Sequence, residues 1–168
     1  YHKLFNMNVI MLRFFTVYGP RQRPDLAINK FTRLMLNDEE VTMFGDGTTS
    51  RDYTYIDDIV EAMIRIIPKI PCKKDGEDGL PIPPYKLYNI GKGNPESLLE
   101  FIEILQEELI EAEVLPKNYD FESHKELVAM RPGDVPITYA DTKKLEEDIN
   151  FKPSTSLREG LKKICKMV

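Results

Sequence analysis

Val9-Ile10-Met11-Leu12-Arg13-Phe14-Phe15 is a nearly continuous apolar run of strand length, and it closes on the hydroxyl of Thr16. A strand with one wet face alternates apolar and polar residues, whereas a parallel strand roofed by helices on both faces has no such need. The run therefore predicts a buried parallel strand, and with it an α/β fold. Open parallel sheets meet ligands beyond the carboxyl ends of their strands. Thr16 stands at that place, although an ordinary strand-terminal hydroxyl would read the same.

Upstream, residues 1–5 read as the tail of a helix and Asn6-Met7-Asn8 as the turn after it, with asparagine supplying a left-handed stop. Downstream, Tyr18-Gly19-Pro20 turns the chain into the polar loop Arg21-Gln22-Arg23-Pro24-Asp25. A helix follows with Ile28, Phe31 and Met35 inward, and Asp25 is its expected N-cap. Two arginines beside the end of a buried strand make a candidate anion site; loop arginines that are merely solvated give the same pattern.

Further on, Val41-Thr42-Met43-Phe44 is a short β-prone run, and Gly45 and Gly47 supply the positive φ that a tight turn demands. Arg51 follows at a strand edge. Asp57 or Asp58 can cap a helix whose apolar residues Ile59, Val60, Met63, Ile66 and Ile67 are expected on one inward face. An arginine held between a turn and a rigid helix suits bidentate recognition of a phosphate. A surface ion pair with Asp46 or Asp52 is the other reading of the same residue.

The remainder alternates strand and helix signals. Residues 73–84 lack periodicity and read as a surface loop. Leu87-Tyr88-Asn89-Ile90 is strand-like, and residues 91–95 form a turn. Ser97-Leu98-Leu99-Glu100 is a capping box opening a helix with Leu98, Ile102, Leu105 and Leu109 in line. Residues 120–130 are weakly patterned, fit for a short strand or irregular chain, and His124 there reads as a surface residue. Arg131-Pro132-Gly133-Asp134 suggests a type II turn closed by a local ion pair. Asp141 is placed to cap a short helix carrying Leu145 and Ile149. Ser156-Leu157-Arg158-Glu159 is a second capping box, opening a helix whose inner face is Leu157, Leu161, Ile164 and Val168.

Composition narrows the function classes. The 168 residues make one domain's worth of chain, and the net charge of -5, with no basic patch, argues against a nucleic-acid partner. Cys72 and Cys165 have no metal-ligand spacing and read as free thiols of a reducing compartment. No apolar run nears membrane-spanning length and no signal peptide is apparent, so the expectation is a cytoplasmic protein without a membrane partner. The chain opens on Tyr1 in mid-pattern, as a piece of something longer would.

Three segments carry a resemblance: Leu12-Arg13-Phe14-Phe15-Thr16-Val17-Tyr18-Gly19-Pro20-Arg21-Gln22-Arg23-Pro24-Asp25, residues 44–58, and Arg131-Pro132-Gly133-Asp134-Val135-Pro136. Their order and spacing resemble the nucleotide-sugar epimerases and dehydratases of the extended short-chain dehydrogenase/reductase family, and within it the UDP-glucuronate 4-epimerase branch. The likeness runs over nearly all of the chain, weakest at 68–84 and 111–130. It implies the C-terminal part of a Rossmann-type fold with the small nucleotide-sugar lobe. Residues 1–24 would be the last of the NAD domain and 25–168 mainly the substrate lobe, with 51–67 and 85–92 returning to the Rossmann sheet.

The resemblance also implies roles. Arg51 and Arg131 would hold the diphosphate of a UDP-sugar, Asp134 would accept from the ribose, and Thr42, Met43 and Phe44 would read the uracil edge. Phe14, Phe15 and Val17 would lie near the nicotinamide of NAD. Thr16 and Arg23 would position the sugar; Thr16 departs from the asparagine common in the wider family but agrees with the glucuronate-epimerase branch. Such enzymes epimerise at C4 through a 4-keto sugar, using a Gly-rich loop for the pyrophosphate and a Tyr-x-x-x-Lys pair for proton transfer. Neither is present in usable form. The matches Tyr88 to Lys92 and Tyr139 to Lys143 span a glycine turn and a helix cap, and the position three beyond Gly47 or Gly93 is Ser50 or Glu96. The expectation is therefore the C-terminal half of such an enzyme, inactive alone, with the N-terminal half as its missing partner and a homodimer compatible with the pattern. A UDP-glucuronate decarboxylase or hexose dehydratase half, or a non-catalytic nucleotide-sugar-binding module, would be the alternatives.

Overall fold

The computed structural model describes residues 2–5 and 7–167, and it is a mixed α/β structure with parallel strand pairs at its centre. After a short helix α1 (His2–Phe5), strand β1 (Val9–Phe14) pairs in parallel with β8 (Tyr85–Ile90), Val9 opposite Tyr85 and Phe14 opposite Ile90. Asn6, predicted to stop α1, and Val168 lie outside the described residues.

The apolar run does not end at Thr16. It breaks at Phe15 and changes partner, because β2 (Thr16–Tyr18) pairs in parallel with β5 (Tyr53–Tyr55). Nor is β1 covered on both faces within this chain: Met11 and Phe14 are each 47% exposed. Between the two ladders Thr16 N–H donates to Asp52 O, which fixes the start of β2 beside β5.

Helix α2 (Ala27–Leu36) turns Ile28, Phe31 and Met35 inward as its spacing requires. Its N-cap is Leu26, without a side-chain bond, because Asp25 turns outward to pair with Arg23 at 3.2 Å. Strand β3 (Val41–Phe44) then leads into the Gly45 and Gly47 turn, both at φ near +80°. At Gly47 a Cβ would also meet Leu99 Cγ at 2.8 Å, so two requirements coincide there.

Two residues of β4 (Ser50–Arg51) precede β5, and helix α3 (Ile56–Ile66) follows it directly from Tyr55. The chain is already extended at Tyr55, so Asp57 and Asp58 fall in the first turn rather than at the cap; Asp58 instead accepts from the N–H groups of Ser154 and Thr155. The expected inward face of α3 is also narrower. Ile59, Ala62 and Ile66 are buried, while Val60, Met63 and Ile67 stay exposed, Ile67 at 66%.

Residues 73–84 contain a minimal hairpin of β6 (Lys74–Asp75) and β7 (Pro81–Ile82) where a featureless loop was expected. Strand β9 (Glu96–Ser97) pairs antiparallel with β4. Ser97 then caps α4 (Leu98–Glu111) by accepting from Glu100 N–H, and Ile102, Leu105 and Leu109 are fully buried. Each such burial stabilises by about 1.5–3 kcal/mol over an exposed position. The weakly patterned segment holds a 3₁₀ turn (Phe121–His124) and β10 (Lys125–Val128), which lies parallel to β3 with Lys125 opposite Val41.

Asp141 accepts from Lys143 N–H just before α5 (Lys143–Ile149), whose N-cap position is Thr142. The Ser156 capping box opens α6 (Leu157–Cys165) in both directions. Helix α6 packs on α4, and Arg158 reaches both Glu107 and Glu108. Cys165 is buried, which pushes its thiol up to about 11, and Cys72 is exposed; no disulfide joins them.

Two apolar clusters result. One gathers α2, β3, β5, α4 and α6; the other gathers β8, α3 and α5, with Ile10, Leu12 and Val17 packed against it. Asp52, fully buried, accepts from the N–H groups of Lys92 (2.9 Å), Gly93 (2.9 Å) and Ala140 (3.1 Å), tying β5 to the turn after β8 and to the approach to α5. A Cβ on Gly91 would sit 2.8 Å from that carboxylate, so the knot needs glycine there.

Candidate functional site

At the rim of the first cluster lies a cavity of about 340 Å³. Strand β3 gives it Thr42, Met43 and Phe44; the start of β2 gives Thr16; β4 gives Arg51. Helix α2 adds Lys30 and Phe31, and the loop after β10 adds Met130 and Asp134. Hollows of similar size occur elsewhere, one beside β8 and α5 and one apolar between β1 and α3. The cavity at β3 differs in bringing cationic, acidic and hydroxyl groups to an apolar floor, the mixture expected of a small-molecule site.

The cations are held but not spent. Arg51 Nη1 donates to the carbonyls of Ser50 (2.9 Å) and Pro136 (3.3 Å), which seats the guanidinium beside β4. It pairs with neither Asp46 nor Asp52: Asp46 is occupied by the hydroxyl and N–H of Thr48, which hold its carboxyl below the usual range, and Asp52 is taken by backbone. The Arg131 guanidinium lies over the Phe44 ring, 4.1 Å from its centroid. This replaces the expected ion pair with Asp134, although the turn itself forms, with Asp134 N–H donating to Arg131 O and Gly133 at φ 92°. A cation stacked on a half-buried ring at the cavity rim remains available to a stronger anionic partner.

Tyr53 closes the floor, its ring stacked on Phe101 at 4.9 Å. Burial pushes its phenol up to about 12, Arg51 opposing and Glu96 adding, so the hydroxyl stays protonated as a donor.

The structure thus brings together Thr16, Thr42, Met43, Phe44, Arg51 and Asp134, with Arg131 on Phe44. Arg23 does not line the cavity; its side chain is 75% exposed and pairs with Asp25, which does. Phe14, Phe15 and Val17 are also off the lining, Phe14 on the open face of β1 and Val17 against the second cluster. Lys30 and Tyr53 were not singled out from the sequence. Lys30 shares a helix face with Ala27 and Phe31 at i, i+3, i+4 spacing, a signal that a charged residue sits on a face otherwise turned to the interior.

The family model for GDP-mannose 4,6 dehydratase matches residues 1–164. The chain belongs to that family of nucleotide-sugar epimerases and dehydratases. It is 41% identical over 169 residues to Protein CapI of Staphylococcus aureus, covering 97% of this chain and 48% of that protein. It is 36% identical to a UDP-glucuronate 4-epimerase of Thermodesulfobacterium geofontis, covering 97% and 44%. Among solved structures, UDP-glucuronic acid 4-epimerase from Bacillus cereus in complex with UDP-glucuronic acid and NAD superposes with a TM-score of 0.74 at 32% identity, covering 98% of this chain and 46% of that one. The chain therefore spans about half the length of the relatives it matches. No helix among the described residues is long and apolar enough to cross a membrane, and none of their His, Cys, Asp and Glu side chains cluster as metal ligands.

Proposed function

We propose that this chain supplies the nucleotide-sugar half of an NAD-dependent UDP-sugar 4-epimerase that interconverts UDP-glucuronate and UDP-galacturonate. The observation that carries this reading is the convergence of Arg51, Asp134 and the β3 edge on one cavity at a strand end, with Arg131 stacked on Phe44 beside it, in a family member whose relatives include UDP-glucuronate 4-epimerases. Arg51 and Arg131 would take the diphosphate, Arg131 leaving the Phe44 ring to do so. Thr42, Met43 and Phe44 would face the uracil and Asp134 the ribose, with Lys30 and the Tyr53 hydroxyl as further donors.

Bound NAD would supply the acceptor and donor of the C4 hydride. Of the residues in hand, Phe14, half exposed at the end of β1, offers the apolar surface a nicotinamide would cover; the pyrophosphate loop is not in this chain. The exposed apolar face of β1 and α3 supports a further half packed against it.

Arg23 separates this reading from a decarboxylase. Oxidation at C4 makes glucuronate a β-keto acid, which loses CO₂ when the bond from C5 to the carboxylate lines up with the carbonyl π system. A bidentate arginine would fix the carboxylate and keep it charged, with Thr16 bonding the sugar from the strand end. The test is product analysis by mass spectrometry in the enzyme carrying its cofactor half. Arg23→Ala is expected to slow epimerisation and release UDP-pentose, and normal epimerisation with no pentose would remove Arg23 from the site. The purified chain alone, given NAD and UDP-glucuronate, is expected to show no turnover; turnover above background would contradict the half-enzyme reading.

A further inference from the structure

His124 lies outside the cavity, yet its ring is fixed from three sides. It ends the 3₁₀ turn just before β10 and stacks on Tyr119, with centroids 5.1 Å apart and planes within 15°. Nδ1 is 2.9 Å from the Asp120 carbonyl and 2.9 Å from Ser123 Oγ, while Nε2 is 2.8 Å from Asp38 Oδ1. A neutral imidazole has one N–H: on Nε2 it keeps Asp38, with Nδ1 accepting from the Ser123 hydroxyl and the Asp120 carbonyl given up, and on Nδ1 it gives up Asp38. Only the imidazolium serves both acceptors.

What this contact joins gives it a consequence. Asp38 follows α2 in the left-handed conformation, φ 58°, three residues before β3 begins. His124 immediately precedes β10. Their contact therefore pins together the first residues of two parallel strands, and at the far end of the same ladder Gly45 N–H donates to Val128 O at 2.8 Å. From there the chain runs directly to Met130, Arg131 and Asp134, while β3 itself carries Thr42, Met43 and Phe44.

We propose that His124 is a positioning residue: protonated, it fastens the β3/β10 ladder to the end of α2 and so holds Arg131 and Asp134 at the cavity. This rests on the nucleotide-sugar reading of that cavity. The charged and titratable groups facing the ring are Asp38 from the end of α2 and Asp120 and Tyr119 from its own turn; neighbouring Lys125 is taken by Glu122 at 2.6 Å. The Asp120 carbonyl first, then the Asp38 carboxylate, hold the imidazolium above the ordinary histidine range against partial burial. With the folded value raised, the clamp is complete below the ordinary histidine pKa and falls from an ion pair to at most a neutral hydrogen bond as pH rises through the raised value.

The experiment is calorimetric titration of this chain with UDP-glucuronate at about pH 6 and about pH 8.5, bracketing the histidine range. The ligand's diphosphate is esterified at both ends, so its own charge is constant across that range. Affinity is expected to weaken roughly threefold to tenfold at the higher pH, the size of a modest coupling between two sites. In Asp38→Asn and His124→Gln the profile is expected to be flat. Asp38 is 80% exposed, so the asparagine variant leaves the core intact, and the other histidine, His2, is common to native and Asp38→Asn proteins. Binding whose pH dependence is equal in native and Asp38→Asn chains overturns the clamp while leaving the nucleotide-sugar site standing. Absence of binding at both pH values instead removes the site, and the clamp's role with it.

Discussion

The two apolar clusters are built from the same residue types and finish differently. The cluster under α2, β3, α4 and α6 is closed: Val41, Met43, Ile102, Leu105 and Leu161 are wholly shut from water, and the candidate site forms its rim. The cluster between β8, α3 and α5 is closed on one side only, with Met63, Ile67 and Ile70 exposed on and beyond α3 and Met11 and Phe14 exposed on β1. The candidate cavity thus rests on the part of the chain that completes its own core. On the proposed reading, nucleotide-sugar binding is expected of this chain by itself, whereas hydride chemistry would need whatever covers the open face.

The largest expected effect breaks the closed cluster. Leu105→Ala removes a buried side chain between α4 and its neighbours and should cost about 2–5 kcal/mol in urea unfolding. Ile67→Ser, on the open face, should change stability by no more than about 0.5 kcal/mol. A comparable loss at both positions would mean that the open face is covered in the isolated chain.

At the rim, Arg51→Ala or Arg131→Ala should weaken UDP-glucuronate binding by about 1.5–3 kcal/mol each, the range for hydrogen bonds to charged groups. Calorimetry finding native affinity in both variants would take the arginines out of the site.

A smaller effect concerns α6, which roofs the closed cluster. Ser156→Ala removes the hydroxyl half of its capping box, leaving the bond from the residue 156 N–H to Glu159, and should cost about 0.5–2 kcal/mol by thermal unfolding near neutral pH. The bonds from Ser156 hold the Glu159 carboxyl below its usual range. The share of this that comes from the Ser156 hydroxyl is present above the ordinary carboxyl pKa and lost as pH falls through the lowered one, so the gap between native and variant should shrink in acid. A gap that is constant with pH would mean that the Ser156 hydroxyl does not bond the Glu159 carboxylate.

The same contrast explains what the sequence could tell. The strand character of the β1 run, the stripes of α2 and α4, and the Ser156 box are local patterns, and the structure reproduces them, although β1 ends at Phe14 and is open on one face. The predicted caps Asp25, Asp57 and Asp58 failed because a carboxylate near a helix start has competing partners, here Arg23 for Asp25 and the distant Ser154 and Thr155 for Asp58. The α3 stripe shows which residues share a face but not what covers them, so Val60, Met63 and Ile67 were expected inward and lie outward. In the site, Arg51 and the 131–134 turn were legible as motifs. The stacking of Arg131 on Phe44 was not, since the two are far apart in sequence and meet only because tertiary pairing returns β10 beside β3. Lys30 and Tyr53 join the cavity by the same packing.

The central claim, that the cavity at β3 is a nucleotide-sugar site complete enough to bind alone, is tested most directly by titrating the labelled chain with UDP-glucuronate and following backbone amide signals. Saturable shifts are predicted at residues 42–44, at Thr16, Lys30, Arg51 and Tyr53, and along 130–134. Saturating ligand that leaves these signals unmoved, or moves only those of the hollow between β8 and α5, would contradict it.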